Sequence, residues 1–227
     1  MRAYLSEALG TFVLVFVGTG AVIANGYSDG AVTLVGISVA FGLVVLAMVY
    51  ALGDISGAHI NPAVTLGLWL AGRVSPAIVV PYVISQCLGA FAASLLLRII
   101  FGMDYGLGAT APSQSAFQAF AMEGVTTFIL MLVILCVTVG AKEKGITAGL
   151  VIGAVVTFDI LIAGPISGAS MNPARSLGPA LVGLDLGSLW IYLVAPCLGA
   201  WIAALVARVL HPVAGEAVDD DVKEEYA

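Results

Sequence analysis

The residues best equipped for chemistry in this chain come in pairs. The triplet Asn61-Pro62-Ala63 recurs as Asn172-Pro173-Ala174, and both copies sit in the frame Ser-Gly-Ala-x-x-Asn-Pro-Ala, the second 111 residues after the first. Asn is a preferred helix N-cap, and Pro suits the first helical position, where its missing N–H costs nothing. Each triplet therefore predicts a helix start. If the Asn oxygen caps its helix, the NH₂ group is left free to donate outward. A helix N-terminus also carries about half a positive charge. Two such ends meeting at one point would repel cations and protons and leave a neutral molecule alone. A water held there would turn its oxygen to both Asn residues, which interrupts a donor–acceptor chain for proton hopping. The chemistry on offer is recognition by hydrogen bonds and fixed charge, without bond making.

Four more polar groups belong to the same neighbourhood. Arg175 directly follows the second triplet, and an Arg in an apolar core is expensive and by default functional. His59 lies two residues before Asn61 and is a candidate for the same path. Glu7 and Glu123 begin matching segments, Glu7-x-x-Gly10-Thr11-Phe12 and Glu123-x-x-Thr126-Thr127-Phe128. Their expected work is to accept backbone N–H groups from a segment that cannot satisfy itself in lipid.

The elements that must position these groups are membrane helices. The chain has 227 residues, 61% of them hydrophobic and 10% charged, with a mean hydropathy of +1.10. Soluble domains carry about 25% charged residues, so lipid has to be the solvent for much of this surface. Six apolar segments approach the roughly 20 residues needed to cross a bilayer, at about 4–25, 32–53, 77–101, 117–140, 146–164 and 188–210. Two shorter stretches, 61–71 and 172–182, begin at the triplets and predict half-helices that enter and stop. A paired interruption in two halves of a membrane protein points to a site near the bilayer midplane. Three spans per half make the repeat inverted, with repeat one at about 4–101 and repeat two at about 117–210. Arg2, Arg73, Lys142, Lys144, Arg208 and Lys223 fall on the side of the termini and Arg98 alone on the other. That bias predicts cytoplasmic termini.

Residues 1–212 read as one transmembrane unit and 213–227 as an acidic, disordered tail that accounts for much of the net charge of −6. Cys87, Cys136 and Cys197 lie inside apolar runs and read as packing residues. Gly89-x-x-x-Ala93 and Gly199-x-x-x-Ala203 are spacings for close helix packing. There is no phosphate loop, nucleophile–base set, metal cluster or basic patch in the sequence, so an enzyme, a cofactor, a bound metal and a nucleic-acid partner are not expected.

The doubled Asn-Pro-Ala, the Arg after the second copy and the paired Glu residues resemble the aquaporin (major intrinsic protein) family over about residues 4–210. The resemblance implies an all-α, right-handed bundle of six tilted helices plus two re-entrant half-helices. It also implies a homotetramer with one pore per protomer, in the plasma membrane, passing water or small uncharged solutes. It places a selectivity filter at Phe41, Ile160, Ala169 and Arg175, and His59 on the pore wall. Strict water channels typically have His where this chain has Ile160. Glycerol channels typically have Trp at the Phe41 position and Asp where this chain has Ser176. The mixture leans to water, with a wider and less polar filter. The alternatives are a glycerol facilitator, a secondary transporter, for which Asp159 is a loose candidate site, and a non-conducting structural protein of the same fold.

Overall fold

The computed structural model describes residues 1–138 and 142–211, with 142–146 as backbone alone. The acidic tail at 213–227, the end of the fourth expected span and the side chains of Lys142 and Lys144 lie outside what is described. Among the described residues there are eight α-helices and no strand. They are α1 (Arg2–Tyr27), α2 (Thr33–Ser56), α3 (Pro62–Leu70), α4 (Pro76–Phe101), α5 (Ala116–Val137), α6 (Lys142–Ser167), α7 (Pro173–Gly183) and α8 (Leu189–Leu210). The shortest of the six long helices has 22 residues, roughly 33 Å at 1.5 Å per residue. All six contain a stretch long and apolar enough to cross a membrane. α3 and α7, with 9 and 11 residues, are the half-helices.

Side chains are distributed as lipid requires. Leu43, Ile99, Leu150 and Val209 are exposed on the outer face, while Glu7, Thr11, Thr19, Gln86, Ser94, Glu123, Thr127 and Asp159 are buried. Buried hydroxyls find partners one turn back, as in Thr11 to the Glu7 carbonyl at 2.8 Å and Thr127 to the Glu123 carbonyl at 2.7 Å. Such pairing avoids stranding polar groups in hydrocarbon.

The repeat is plain in the packing. α1 pairs with α4 as α5 pairs with α8, and α2 packs on α6 across the join between halves. Each seam closes at a glycine. A Cβ on Gly89 would lie 2.1 Å from the Ala8 carbonyl oxygen, and one on Gly199 would lie 2.3 Å from that of Gly124. At the α2–α6 seam the contact is reciprocal: Gly42 faces the Gly153 carbonyl and Gly153 that of Gly42. The half-helices cross over, α3 packing more on α8 than on α4, and α7 more on α4 than on α8.

Two boundaries differ from the sequence expectation. α2 continues past Gly53 and Asp54 to Ser56, and α6 passes Pro165 to Ser167. These last turns stay helical because they end inside protein. Tyr82 donates to the Ser56 carbonyl at 2.8 Å and Tyr192 to the Ser167 carbonyl at 2.7 Å, each closing a helix end. The connection from Met103 to Gln114, expected as a plain break, contains a left-handed turn at Asp104–Gly108, with φ of 51°, 58° and 55° at Tyr105, Gly106 and Leu107. Tyr27 holds it by a 2.7 Å hydrogen bond to Asp104.

Candidate functional site

Two hairpin loops, 57–60 and 168–171, carry the chain from the ends of α2 and α6 into α3 and α7. Each contains three left-handed residues in the same places: Gly57, Ala58 and Ile60 at φ 85°, 47° and 44°, and Gly168, Ala169 and Met171 at 80°, 48° and 53°. Ala and branched residues rarely adopt this conformation, and each instance costs about 1–3 kcal/mol. The surroundings hold it in place. Glu7 accepts Ser56 Oγ (2.7 Å) and the His59 N–H (2.9 Å) on Oε1, and the Ile60 N–H (2.7 Å) and Gln86 Nε2 (2.7 Å) on Oε2. Glu123 accepts Ser167 Oγ (2.7 Å) and the Ser170 N–H (2.8 Å) on Oε1, and the Met171 N–H (2.7 Å) on Oε2. Each carboxylate thus accepts two backbone N–H groups of its loop.

The triplets start helices as their residue types dictate. Asn61 Oδ1 accepts the Ala63 N–H at 2.8 Å, and Asn172 Oδ1 accepts those of Ala174 and Arg175 at 3.0 and 3.2 Å. Pro62 and Pro173 occupy the first turn. One detail departs from expectation. The amide groups are only half free, because Asn61 Nδ2 donates to the Met171 carbonyl at 2.8 Å and Asn172 Nδ2 to the Ile60 carbonyl at 2.9 Å. The two helix starts are thus stapled crosswise, each Asn to the other loop. An NH₂ group has two hydrogens, so one donor per Asn remains.

A cavity of about 400 Å³ runs alongside this junction. Its wall combines Asn61 and Asn172 with Phe41, Val45 and Val49 of α2 and Ile152, Val156 and Ile160 of α6. These two rows of three are repeat equivalents, residue for residue. One end is bordered by Arg73 and Val74, which follow α3, and His59 lies on the wall. Arg175 lines the cavity together with Phe41 and Ile160, its guanidinium carbon 5.2 Å from the Phe41 ring centre. A Cβ on Gly18 would lie 2.1 Å from that ring, so the glycine of α1 makes the room for it. Arg175 Nη1 donates to the Gly108 carbonyl at 2.9 Å, and its Nε is buried with no protein partner. His59 Nδ1 pairs with Thr65 Oγ1 at 3.1 Å.

Of the residues singled out in the sequence, Asn61, Asn172, His59, Phe41, Ile160 and Arg175 are brought to one cavity. Pro62, Ala63, Pro173 and Ala174 are buried behind it in the first turns of the half-helices, as are Glu7 and Glu123 behind the loops. Ala169 is buried in the second loop and does not line the cavity wall. Asp159 is fully buried, with neither carboxyl oxygen hydrogen-bonded to protein. It faces the interior and not the outer surface. Cys87, Cys136 and Cys197 are half-buried thiols away from the cavity.

Several contributors had no sequence expectation. The Gly108 carbonyl is one, supplied by the left-handed turn before it. Thr110 is another: its hydroxyl meets Ser176 Oγ at 2.7 Å, and Ser176 meets Ser170 Oγ at 2.6 Å. Gln86, Tyr82 and Tyr192 complete the support, and the matched spacing of Tyr82 and Tyr192, 110 residues apart, was the available signal.

Six spans, two half-helices meeting N-terminus to N-terminus and a cavity past their junction define a multi-pass helical membrane channel. The major intrinsic protein family model matches residues 1–207. Aquaporin NIP1-2 of Arabidopsis thaliana is 45% identical over 219 residues, covering 93% of this chain and 74% of that protein. Aquaporin NIP1-1 of Zea mays is 47% identical over 212 residues, covering 93% of this chain and 75% of that protein. Among solved structures, the aquaglyceroporin from Plasmodium falciparum superposes with a TM-score of 0.84 at 29% identity, covering 93% of this chain and 97% of that one. The chain belongs to the major intrinsic protein family, the aquaporins. It is a channel and not an enzyme.

Proposed function

We propose that this channel conducts water passively, admits small neutral solutes such as glycerol more slowly, and excludes protons and ions. The observation that carries this reading is the meeting of two helix N-termini, each with one Asn donor to spare, beside a largely apolar cavity wall that also holds Arg175 and His59. Positive ends and an unpaired Arg donor repel cations and favour an incoming oxygen. Phe41, Ile160 and Arg175 form the filter wall in this reading, with Ala169 in the loop behind them, and His59 lines the other half of the path. The Lys and Arg bias puts both termini in the cytoplasm, with the plasma membrane as the location and a homotetramer as the assembly. Proteoliposomes should shrink faster than empty vesicles under osmotic shock, with a low activation energy and no current under voltage. A proton or sodium conductance in the wild type would sink this reading. A second reading, glycerol facilitation as the main role, draws support from the apolar Ile160 side of the filter. Glycerol flux exceeding water flux per channel would favour it.

A further inference from the structure

Arg98 and Arg208 occupy equivalent positions in the last turns of α4 and α8. Both point their guanidinium groups at half-helices. Arg98 Nη1 donates to the Val182 carbonyl at 2.8 Å, in the last turn of α7. Arg208 Nη2 donates to the Leu70 carbonyl, the last residue of α3. The contacts cross between repeats: α4 of the first holds α7 of the second, and α8 of the second holds α3 of the first.

The backbone accounting explains why these carbonyls need a donor. A helix leaves its last four carbonyls without an intrahelical partner. After α3, the N–H groups of Ala71, Gly72 and Arg73 go to Gly67, Trp69 and Leu68, which leaves Leu70 for Arg208. After α7, the N–H groups of Leu184 and Asp185 both turn back to Ala180, and Arg98 meets Val182. A cation at a helix C-terminus is also favoured by the helix dipole. Arg98 is, besides, the only Lys or Arg assigned to the cation-poor side, so its placement there calls for a specific partner.

We propose that Arg98 and Arg208 are the positioning residues of the pore. Each anchors the C-terminus of the half-helix from the opposite repeat, and together they set where the two Asn-Pro-Ala N-termini meet. The functional part rests on the channel reading above. A half-helix is short, roughly 16 Å for α7 at 1.5 Å per residue, so displacement at one end reaches the other. The two half-helices differ in lateral support. α7 rests on backbone, since a Cβ at Gly178 would lie 2.6 Å from the Ala90 carbonyl of α4. At Gly67, α3 meets the flexible side chain of Met131. α3 therefore depends more on its Arg than α7 does.

Hydrogen exchange of the full-length protein in nanodiscs tests the anchoring without reference to flux. Arg208→Met should speed exchange across 62–71 by at least about tenfold and leave 173–184 unchanged; Arg98→Met should do the reverse by a smaller factor. Arg208→Lys and Arg98→Lys, which keep a cationic donor, should stay near wild type. Arg98→Gln and Arg208→Gln, which lose the same charge but keep a polar amide, are read the same way if a Met variant fails to assemble. Osmotic flux of the same samples should show a changed glycerol-to-water ratio in Arg98→Met, whose half-helix bears Arg175, and a lowered flux at constant ratio in Arg208→Met. Exchange rising equally in both half-helices, or in neither, would overturn the proposal. A wild type without water flux would instead remove the channel reading and leave the exchange result standing.

Discussion

The two re-entrant loops are one device built twice, and the places where the copies differ separate support from selectivity. Ser56 and Ser167, Gly57 and Gly168, Ala58 and Ala169, Tyr82 and Tyr192, and Glu7 and Glu123 make the same contacts or take the same backbone conformation in both halves. The capping Asn residues are identical. The copies part at His59 against Ser170, Val64 against Arg175, Phe41 against Ile152 and Val49 against Ile160, and all eight line the cavity. Backbone conformation tolerates no variation because the left-handed loops must be held by the same few acceptors. The wall is free to vary, and it varies at the positions beside the junction, with Arg175 on α7 where α3 has the apolar Val64.

The support itself contains one asymmetry, and breaking it should give the largest effect. Gln86 donates to Glu7, whereas the equivalent place facing Glu123 belongs to Pro196, which has no side-chain donor or acceptor. Gln86 Oε1 is buried without a partner. In Glu7→Gln, the new amide meets the Ile60 N–H, but Gln86 can turn its free oxygen toward it. In Glu123→Gln, the new amide beside the Met171 N–H finds nothing to accept it. Both variants should lose stability, Glu123→Gln by about 1–3 kcal/mol more. Thermal unfolding in detergent at equal protein concentration checks the difference; equal losses would mean that Gln86 gives no relief.

A symmetric feature should respond symmetrically. Gly42→Ala would bring a Cβ to 2.5 Å from the Gly153 carbonyl, and also to 1.9 Å from the movable Thr157 hydroxyl, and Gly153→Ala to 2.6 Å from the Gly42 carbonyl. Each should cost about 1–3 kcal/mol by forcing α2 from α6. Gly53→Ala, with nothing within 4 Å of the added Cβ, is the control and should be neutral or mildly stabilising, by up to about 1 kcal/mol. A Gly42→Ala protein as stable as Gly53→Ala would show that the seam gives way freely.

The cavity wall offers a third contrast. Ile160 and Val49 are repeat equivalents at opposite ends. Ile160→His should add a polar contact near Arg175 and narrow the passage, keeping most water flux and lowering glycerol flux about tenfold, or about 1.4 kcal/mol of barrier. Val49→His, remote from Arg175, should leave the solute ratio unchanged. Stopped-flow light scattering with both osmolytes reads the two variants together. An unchanged ratio in Ile160→His would remove that residue from the constriction.

How far the sequence disclosed this design depends on the range of each interaction. The half-helix starts were legible because capping is local: Asn, Pro and Ala are adjacent, and the same frame appears twice. The expectation for Glu7 and Glu123 rests on the cost of an ionisable group in lipid. The crosswise bonds of Asn61 and Asn172 were not legible, since each joins residues more than a hundred positions apart and depends on how the loops meet. The Gly108 carbonyl was hidden for another reason: a backbone acceptor has no residue type to betray it, and its left-handed approach turn includes Tyr105 and Leu107, which no turn rule selects. Helix ends were misjudged at Ser56 and Ser167 because polar and Pro residues usually signal exit into water, and here the chain stays within protein.

The smallest expected effect concerns the thiols. Mercurials block a channel when a Cys faces the water path. Cys87, Cys136 and Cys197 are half-buried, and none borders the cavity. The wild type should therefore lose little flux to mercurials. The repeat supplies paired positions at which to create sensitivity. Ala58 and Ala169 share nearly the same left-handed φ, 47° and 48°, but Ala58 lines the cavity while Ala169 is sealed in its loop. A Cys side chain extends one atom beyond Cβ, enough to reach the path from Ala58 directly and from Ala169 only if the filter loop yields. Ala58→Cys should become strongly and reversibly blocked, with reducing agent restoring flux, and Ala169→Cys should be blocked more slowly. If the wild type is inhibited as strongly as Ala58→Cys, one of the three native thiols borders the water path, and the apolar rows of α2 and α6 are not its whole wall.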